Sequence, residues 1–244
     1  MRRETQNVLL LLLGGALLKI GLNGQYLRYV KPSLHPWLLA CGAIAIVLAV
    51  VGVVRDLRLG RESANGHAEH GHLHSSRSPW LLMLPVLAIF LIAPPALGAD
   101  KVTRSGDRSS VAAQQPKGQN NVDFVKLPDE EAPLLKIGDA VTRAIWDDSG
   151  SLEGRQIRLV GFVVNGTDGS KYLARLVISC CAADATPVKV KLDGGQAEQY
   201  PPDTWLEVRG EVRSGTASEA NGYAPTFAVT EVNPVQAPPD PYEF

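Results

Sequence analysis

Three long apolar runs crowd into the first hundred residues, and they constrain what this chain can fold into more than any other feature. The first runs from Asn7 to Leu22 and is interrupted only by Lys19. The second, Pro36 to Val54, and the third, Pro79 to Ala99, carry no charge. A bilayer span needs about 20 predominantly apolar residues, within a range of about 17 to 25. The second and third runs meet that on length, and the first meets it if Lys19 snorkels to the interface. The pattern predicts three transmembrane α-helices, at about 7–24, 36–54 and 79–98, within a membrane domain spanning residues 1–99 that includes a loop at 55–78. A cleaved secretory signal would also place Arg2 and Arg3 before an apolar core, but "KIGLNGQYLRYVKP" offers no small-residue cleavage site. "APPALGAD", closing the third run, has such small residues, so cleavage there is a second reading.

Lys and Arg near the spans set the orientation. With the N-terminus inside, the cytoplasmic segments hold Arg2, Arg3, Arg55, Arg58, Arg61 and Arg77, against Arg28 and Lys31 in the outer loop. Three spans then place the C-terminal remainder of the chain on the extracytoplasmic side of a multi-pass protein of the plasma membrane, although Lys101, Arg104 and Arg108 pull the other way.

Residues 100–133, with "SGDRSSVAAQQPKGQNN" in the middle, have the low hydrophobicity and turn-rich composition of a flexible polar linker. Residues 134–244 read as a soluble domain. It opens with a short amphipathic helix, because Ile137, Val141, Ala144 and Ile145 recur at helical spacing, with Asp139 placed to cap it and Gly150 to end it. Five β-rich stretches come next, at 155–164, 171–181, 186–195, 204–214 and 224–235. In the fourth, Leu206, Val208, Gly210 and Val212 alternate with Glu207, Arg209, Glu211 and Arg213. The expected fold class is three transmembrane helices, a linker and a small all-β C-terminal domain, an OB-like barrel, with a small β-sandwich as the alternative.

Of three cysteines in the chain, Cys180 and Cys181 stand side by side in "VISCCAADATP". If the strand continues through them, Ala174, Leu176, Ile178 and Cys180 share a core face, while Arg175, Ser179 and Cys181 share the other. That predicts one buried and one exposed thiol. If "AADATP" already turns, both sulfurs reach a common site with Asp184, and a transition metal such as zinc becomes the ligand. A disulfide between neighbours requires a strained ring. The candidate binding face is therefore Arg175, Ser179, Cys180, Cys181 and Asp184, with Cys181 and Asp184 as metal ligands. A second candidate metal site is "NGHAEHGHLHSS", which gathers His67, His70, His72 and His74, four of five histidines, between the second and third runs. Its alternative is a solvated loop.

The chain resembles the YcgQ-type family of uncharacterised bacterial membrane proteins. The resemblance rests on "PPA" at Pro94 to Ala96, "GRQIRLVGFV", "LARLVISCCAADA", "WLEVRG" and the closing "PPDPY". It implies a partner rather than a reaction: such proteins are encoded beside a multi-span permease, in systems connected with metal homeostasis, especially zinc. It carries over no catalytic residue.

Three functions are compatible with these features. The first is an accessory subunit of a permease-type transport system, linked to metal homeostasis, with an extracytoplasmic β domain. The second is a membrane-tethered OB-type binding module. Lys136 to Phe244 carries ten Lys and Arg against fifteen Asp and Glu, a net of −5, and Phe162, Tyr172, Trp205 and Phe227 form no basic-aromatic cluster, so nucleic acid is not an expected partner. The third is an envelope thiol or redox protein, for which Arg175 would have to lower a thiol pKa. No nucleophile triad or phosphate-cradling glycine motif is present, and the chain is not expected to be an enzyme.

Overall fold

The computed structural model describes residues 3–63, 95–106 and 124–244. They divide into two compact units, Met1–Pro95 and Ala96–Phe244.

In the first unit, α1 (Arg3–Leu22) and α2 (His35–Ser63) pair as a helical hairpin. Close approach depends on absent side chains: a Cβ on Gly14 would stand 2.8 Å from Ile46 Cγ1 and 2.9 Å from the Gly42 carbonyl oxygen. Small residues at such crossings let helices pack where burial in water supplies no driving force. Asn7 donates to Asp56 Oδ2 at 3.0 Å, and His35 Nε2 lies 3.1 Å from the Gly21 carbonyl oxygen with its ring stacked on Tyr26. Trp37, Ile44, Val47, Leu48 and Leu57 remain exposed along α2.

The expected three spans need correction. Among the described residues, one helix is long and apolar enough to cross a membrane, Pro32–Arg58, whose 27 residues reach about 40 Å at 1.5 Å per residue. The apolar part of α1, Gln6–Leu22, is shorter. Residues 79–94 of the third expected span lie outside the described residues, as does the histidine tract. Its final residues belong to the second unit. The Leu97 N–H donates to Tyr242 Oη at 3.1 Å, the Ala99 N–H to Asp203 Oδ1 at 2.6 Å, and Ala99 and Val102 are buried in a helix α3 (Ala99–Arg104). The β domain therefore holds the end of that run by its backbone and buries Ala99, while Leu97 stays exposed. The polar stretch after it is anchored at both margins: α3 occupies its beginning, and near its end Leu127 is buried while the Phe124 ring lies under the Arg143 guanidinium.

Among the described residues the second unit is a β domain, as expected of the C-terminal part, but a mixed one with seven strands and two α-helices besides short 3₁₀ turns. The strands are β1 (Leu134–Leu135), β2 (Ile157–Asn165), β3 (Lys171–Val177), β4 (Thr186–Asp193), β5 (Trp205–Arg213), β6 (Thr226–Pro234) and β7 (Tyr242–Glu243). Their order is β1-β2-β5-β6-β4-β3-β7, and a further β2–β3 pairing closes the five long strands into a ring. Most pairs are antiparallel; β4–β6, β1–β2 and β3–β7 are parallel. The ring interior collects Ile157, Leu159 and Val163 of β2, Leu173 of β3, Val188 and Val190 of β4, Leu206, Val208 and Val212 of β5 and Phe227 of β6. Helix α4 (Ile137–Trp146) adds Ile137, Ala140 and Val141 to that core. A bulge between Arg209 and Gly210 bends β5, and glycine is required there because a Cβ would run into the Ala228 carbonyl.

β5 keeps the expected alternation, every second residue buried. β3 does not: Tyr172 to Leu176 are all buried. Its second face is covered by a cluster containing Ala99, Val102, Ile178, Ala185 and Tyr242, so α3 and β7 roof the strand that the sequence pattern leaves half solvated.

Candidate metal centre

β3 and β4 form a hairpin in which Val177 faces Thr186, and residues 178–185 make its tip. Ile178 and Ala185 are buried and fix the base of this loop, and the Ile178 N–H also donates to the Glu243 carbonyl oxygen at 3.0 Å. Between those anchors the backbone turns around Asp184. Its carboxylate accepts from the Ser179 N–H at 2.9 Å, the Cys180 N–H at 2.8 Å and the Cys181 N–H at 3.3 Å. A one-turn 3₁₀ helix, Ala182–Asp184, carries that carboxylate, and Cys181 and Asp184 cap it reciprocally, Cys181 holding the place usually taken by Ser or Thr.

This geometry corrects the expectation from strand alternation. Cys180 is exposed and Cys181 half-buried, because the strand ends at Val177, before either of them. The two sulfurs do not diverge: Cys180 Sγ lies 3.5 Å from Cys181 Sγ. One ligand atom from each of Cys180, Cys181 and Asp184 lies within 4.8 Å of the others, close enough for the three to share a metal ion. Ser179 contributes its backbone N–H to the turn and is exposed.

The Asp184 carboxyl is held down to about 2, by its hydrogen bond with the Cys180 thiol and by the backbone N–H groups of the turn. The same contact with the carboxylate, followed by that with Cys181, pushes the Cys180 thiol up to about 12. A nucleophilic or redox cysteine needs the opposite, a thiol drawn down into the thiolate range. A divalent cation reverses this balance, since it replaces the thiol proton and turns the neighbouring carboxylate from a penalty into a ligand.

Arg175 lies elsewhere. Its side chain is 9% exposed, and it points away from the loop into a cluster built by the 238–244 segment. Its Nη2 donates to the Asp240 carbonyl oxygen at 3.1 Å and the Tyr242 carbonyl oxygen at 3.2 Å, its Nε is 3.8 Å from Glu243 Oε1, and its guanidinium lies over the Trp205 ring. Glu243 accepts from the Ile137 and Gly138 N–H groups, both at 2.9 Å, and so caps α4 from across the domain, the place the sequence assigns to Asp139. Burial pushes the Glu243 carboxyl up and the Arg175 guanidinium down, the mark of a desolvated pair. Arg175 supports β7 and α4 and does not join the cysteines on a binding face. His67, His70, His72 and His74 lie outside the described residues.

Residues 5–106 match the DUF1980 N-terminal domain and residues 139–244 the DUF1980 C-terminal domain. The chain belongs to the DUF1980 family, whose name states no activity. Neither the curated proteins nor the solved structures contain a match to it.

Proposed function

We propose that this DUF1980 protein is a membrane-anchored accessory subunit of a permease-type transport system, whose β domain captures a transition metal ion. The observation that carries the reading is the loop of Cys180, Cys181 and Asp184, two thiols and a carboxylate within 4.8 Å of one another on a hairpin tip. Such a donor set suits a borderline-soft ion such as zinc. A rigid ring beneath the loop and buried residues at its base make it a fixed receptor.

Anchoring is supported by α2, long and apolar enough to span, and by the exposed apolar side chains along it. The multi-span partner comes from the resemblance to YcgQ-type proteins, which occur with a permease in systems connected with zinc homeostasis. Arg2, Arg3, Arg55, Arg58 and Arg61 support a cytoplasmic N-terminus, and the side of the membrane on which the β domain captures its ion follows from the number of spans after it.

The test is co-purification from detergent-solubilised membranes that also express the neighbouring permease. A complex that survives size-exclusion chromatography is the expected result. A chain that elutes alone, together with transport that persists when the chain is deleted, contradicts the accessory role.

A further inference from the structure

The geometry points to an open, four-coordinate site for a divalent ion of the zinc type, in which Cys180 Sγ, Cys181 Sγ and an Asp184 oxygen supply three ligands and an exchangeable ligand the fourth. This deepens the capture reading above and rests on it for the biological role, but its chemistry stands on the loop alone.

The separation of the sulfurs suits a tetrahedral ion better than a linear one. A zinc–thiolate bond of about 2.3 Å and a tetrahedral angle place two sulfurs on one ion about 3.8 Å apart. The observed separation is 3.5 Å, so a small rotation of either side chain seats the ion. A linear two-thiolate ion of the Cu⁺ type holds its sulfurs on opposite sides, at twice the metal–sulfur bond length and well beyond the observed 3.5 Å, and leaves the carboxylate unused. The third donor is already in place, because three backbone N–H groups hold Asp184 against the sulfurs. Each carboxylate oxygen has more than one acceptor direction, so ligation is compatible with those hydrogen bonds.

The fourth position falls to the solvent side. Cys180 is exposed, Cys181 and Asp184 are half-buried, and among the described residues no other Cys, His, Asp or Glu joins the group. Structural zinc sites close their shell with four protein ligands, whereas three protein ligands and one water mark a site that exchanges what it binds. A ligand from a partner can enter at that position and take the ion over, which distinguishes a hand-over site from a structural one.

The experiment uses the full chain in detergent, in a variant with His67, His70, His72 and His74 replaced by Ala, titrated with Co²⁺ and then with Zn²⁺. One Co²⁺ per chain should give a thiolate-to-cobalt charge-transfer band with intense tetrahedral d–d bands, and Zn²⁺ should abolish both. Loss of an outer-shell partner costs about 10–100-fold in metal affinity, so C180S or C181S should cost at least about 100-fold. Asp184→Asn should weaken binding and shift the d–d bands while the charge-transfer band remains. Imidazole or a small monothiol in excess should shift the d–d bands by entering the fourth position. An absent charge-transfer band, a band that survives C180S, or a weak octahedral spectrum overturns the site. One ion per two chains, or a spectrum indifferent to added ligand, overturns the open position. None of these readouts involves the permease: a tetrahedral spectrum without a permease complex removes the accessory role and leaves the site, and the converse removes the site together with the capture role and leaves the subunit role.

Discussion

Two carboxylates serve the two ends of one stretch of chain, and they do opposite work. At Arg175, inside β3, Glu243 accepts two backbone N–H groups and faces a guanidinium, all of it buried. A few residues on, past the end of the strand, Asp184 accepts three backbone N–H groups beside two thiols, at the surface. Burial drives Glu243 up, while hydrogen bonds in the open hold Asp184 at about 2. The same device, a carboxylate collecting backbone donors, pins a fold in one place and shapes a receptor in the other. Solvent access separates the roles: a desolvated pair has no ligand to exchange, and an exposed loop has little stability to lose.

The variant that strains this contrast hardest is Arg175→Met. It leaves Glu243 buried without its cation, and removing one partner of a buried pair costs about 3–5 kcal/mol. Urea unfolding of the full chain, followed by near-ultraviolet circular dichroism, should register that loss. A second change, Glu243→Gln, should recover part of it, since a neutral amide needs no counter-charge. A single variant as stable as the parent would mean that the cluster is ornamental.

At the loop, Asp184→Ala removes a carboxylate that caps a turn, an effect of about 1 kcal/mol. The same measurement gives it, and a loss as large as that of Arg175→Met would place the loop in the core instead. The pH dependence carries a sign. The Asp184 carboxyl is held at about 2 against its ordinary 3.8, so its contribution is present above 3.8 and disappears as the pH falls through about 2. The stability gap between the parent and the Asp184→Ala variant should therefore be flat above about pH 4 and close below about pH 2. A gap that grows on acidification contradicts the assignment.

The smallest expected effect on stability is that of Cys180→Ser, which should leave the unfolding transition in place. Its informative counterpart is reactivity. With the Cys180 thiol pushed up to about 12, alkylation by iodoacetamide at neutral pH, read by peptide mass, should be slow and should speed up when Asp184 is replaced by Asn. Rapid alkylation of the parent chain at neutral pH would reopen the thiol-enzyme reading.

What the sequence made legible was local. Alternation along Leu206, Val208, Gly210 and Val212 located β5, and helical spacing located α4. The short strands β1 and β7 escaped because their pairing, not their composition, defines them: each has two residues and is held by a distant parallel neighbour. The burial of Arg175 escaped for the same reason, since its carbonyl partners arrive from residues 240 and 242. The end of β3 did have a local signal. Cys181-Ala-Ala-Asp184 carries the spacing of a capping box with a thiol for the hydroxyl, and such a box stops a strand before the cysteines rather than after them. Extrapolating the alternation to Cys180 went against it, whereas the alternative reading, a turn at "AADATP" that brings both sulfurs near Asp184, matches the geometry. The third apolar run teaches a related lesson, because its last residue, Ala99, is buried by a β domain that hydropathy alone does not register.

Zinc K-edge X-ray absorption, on the zinc-loaded full chain in which His67, His70, His72 and His74 are Ala, puts the paired-cysteine site to its hardest test. Two sulfur neighbours at about 2.3 Å and two lighter neighbours at about 2.0–2.2 Å are expected. A shell of oxygen and nitrogen with no sulfur would contradict the site, and the paired cysteines would then be features of the turn and nothing more.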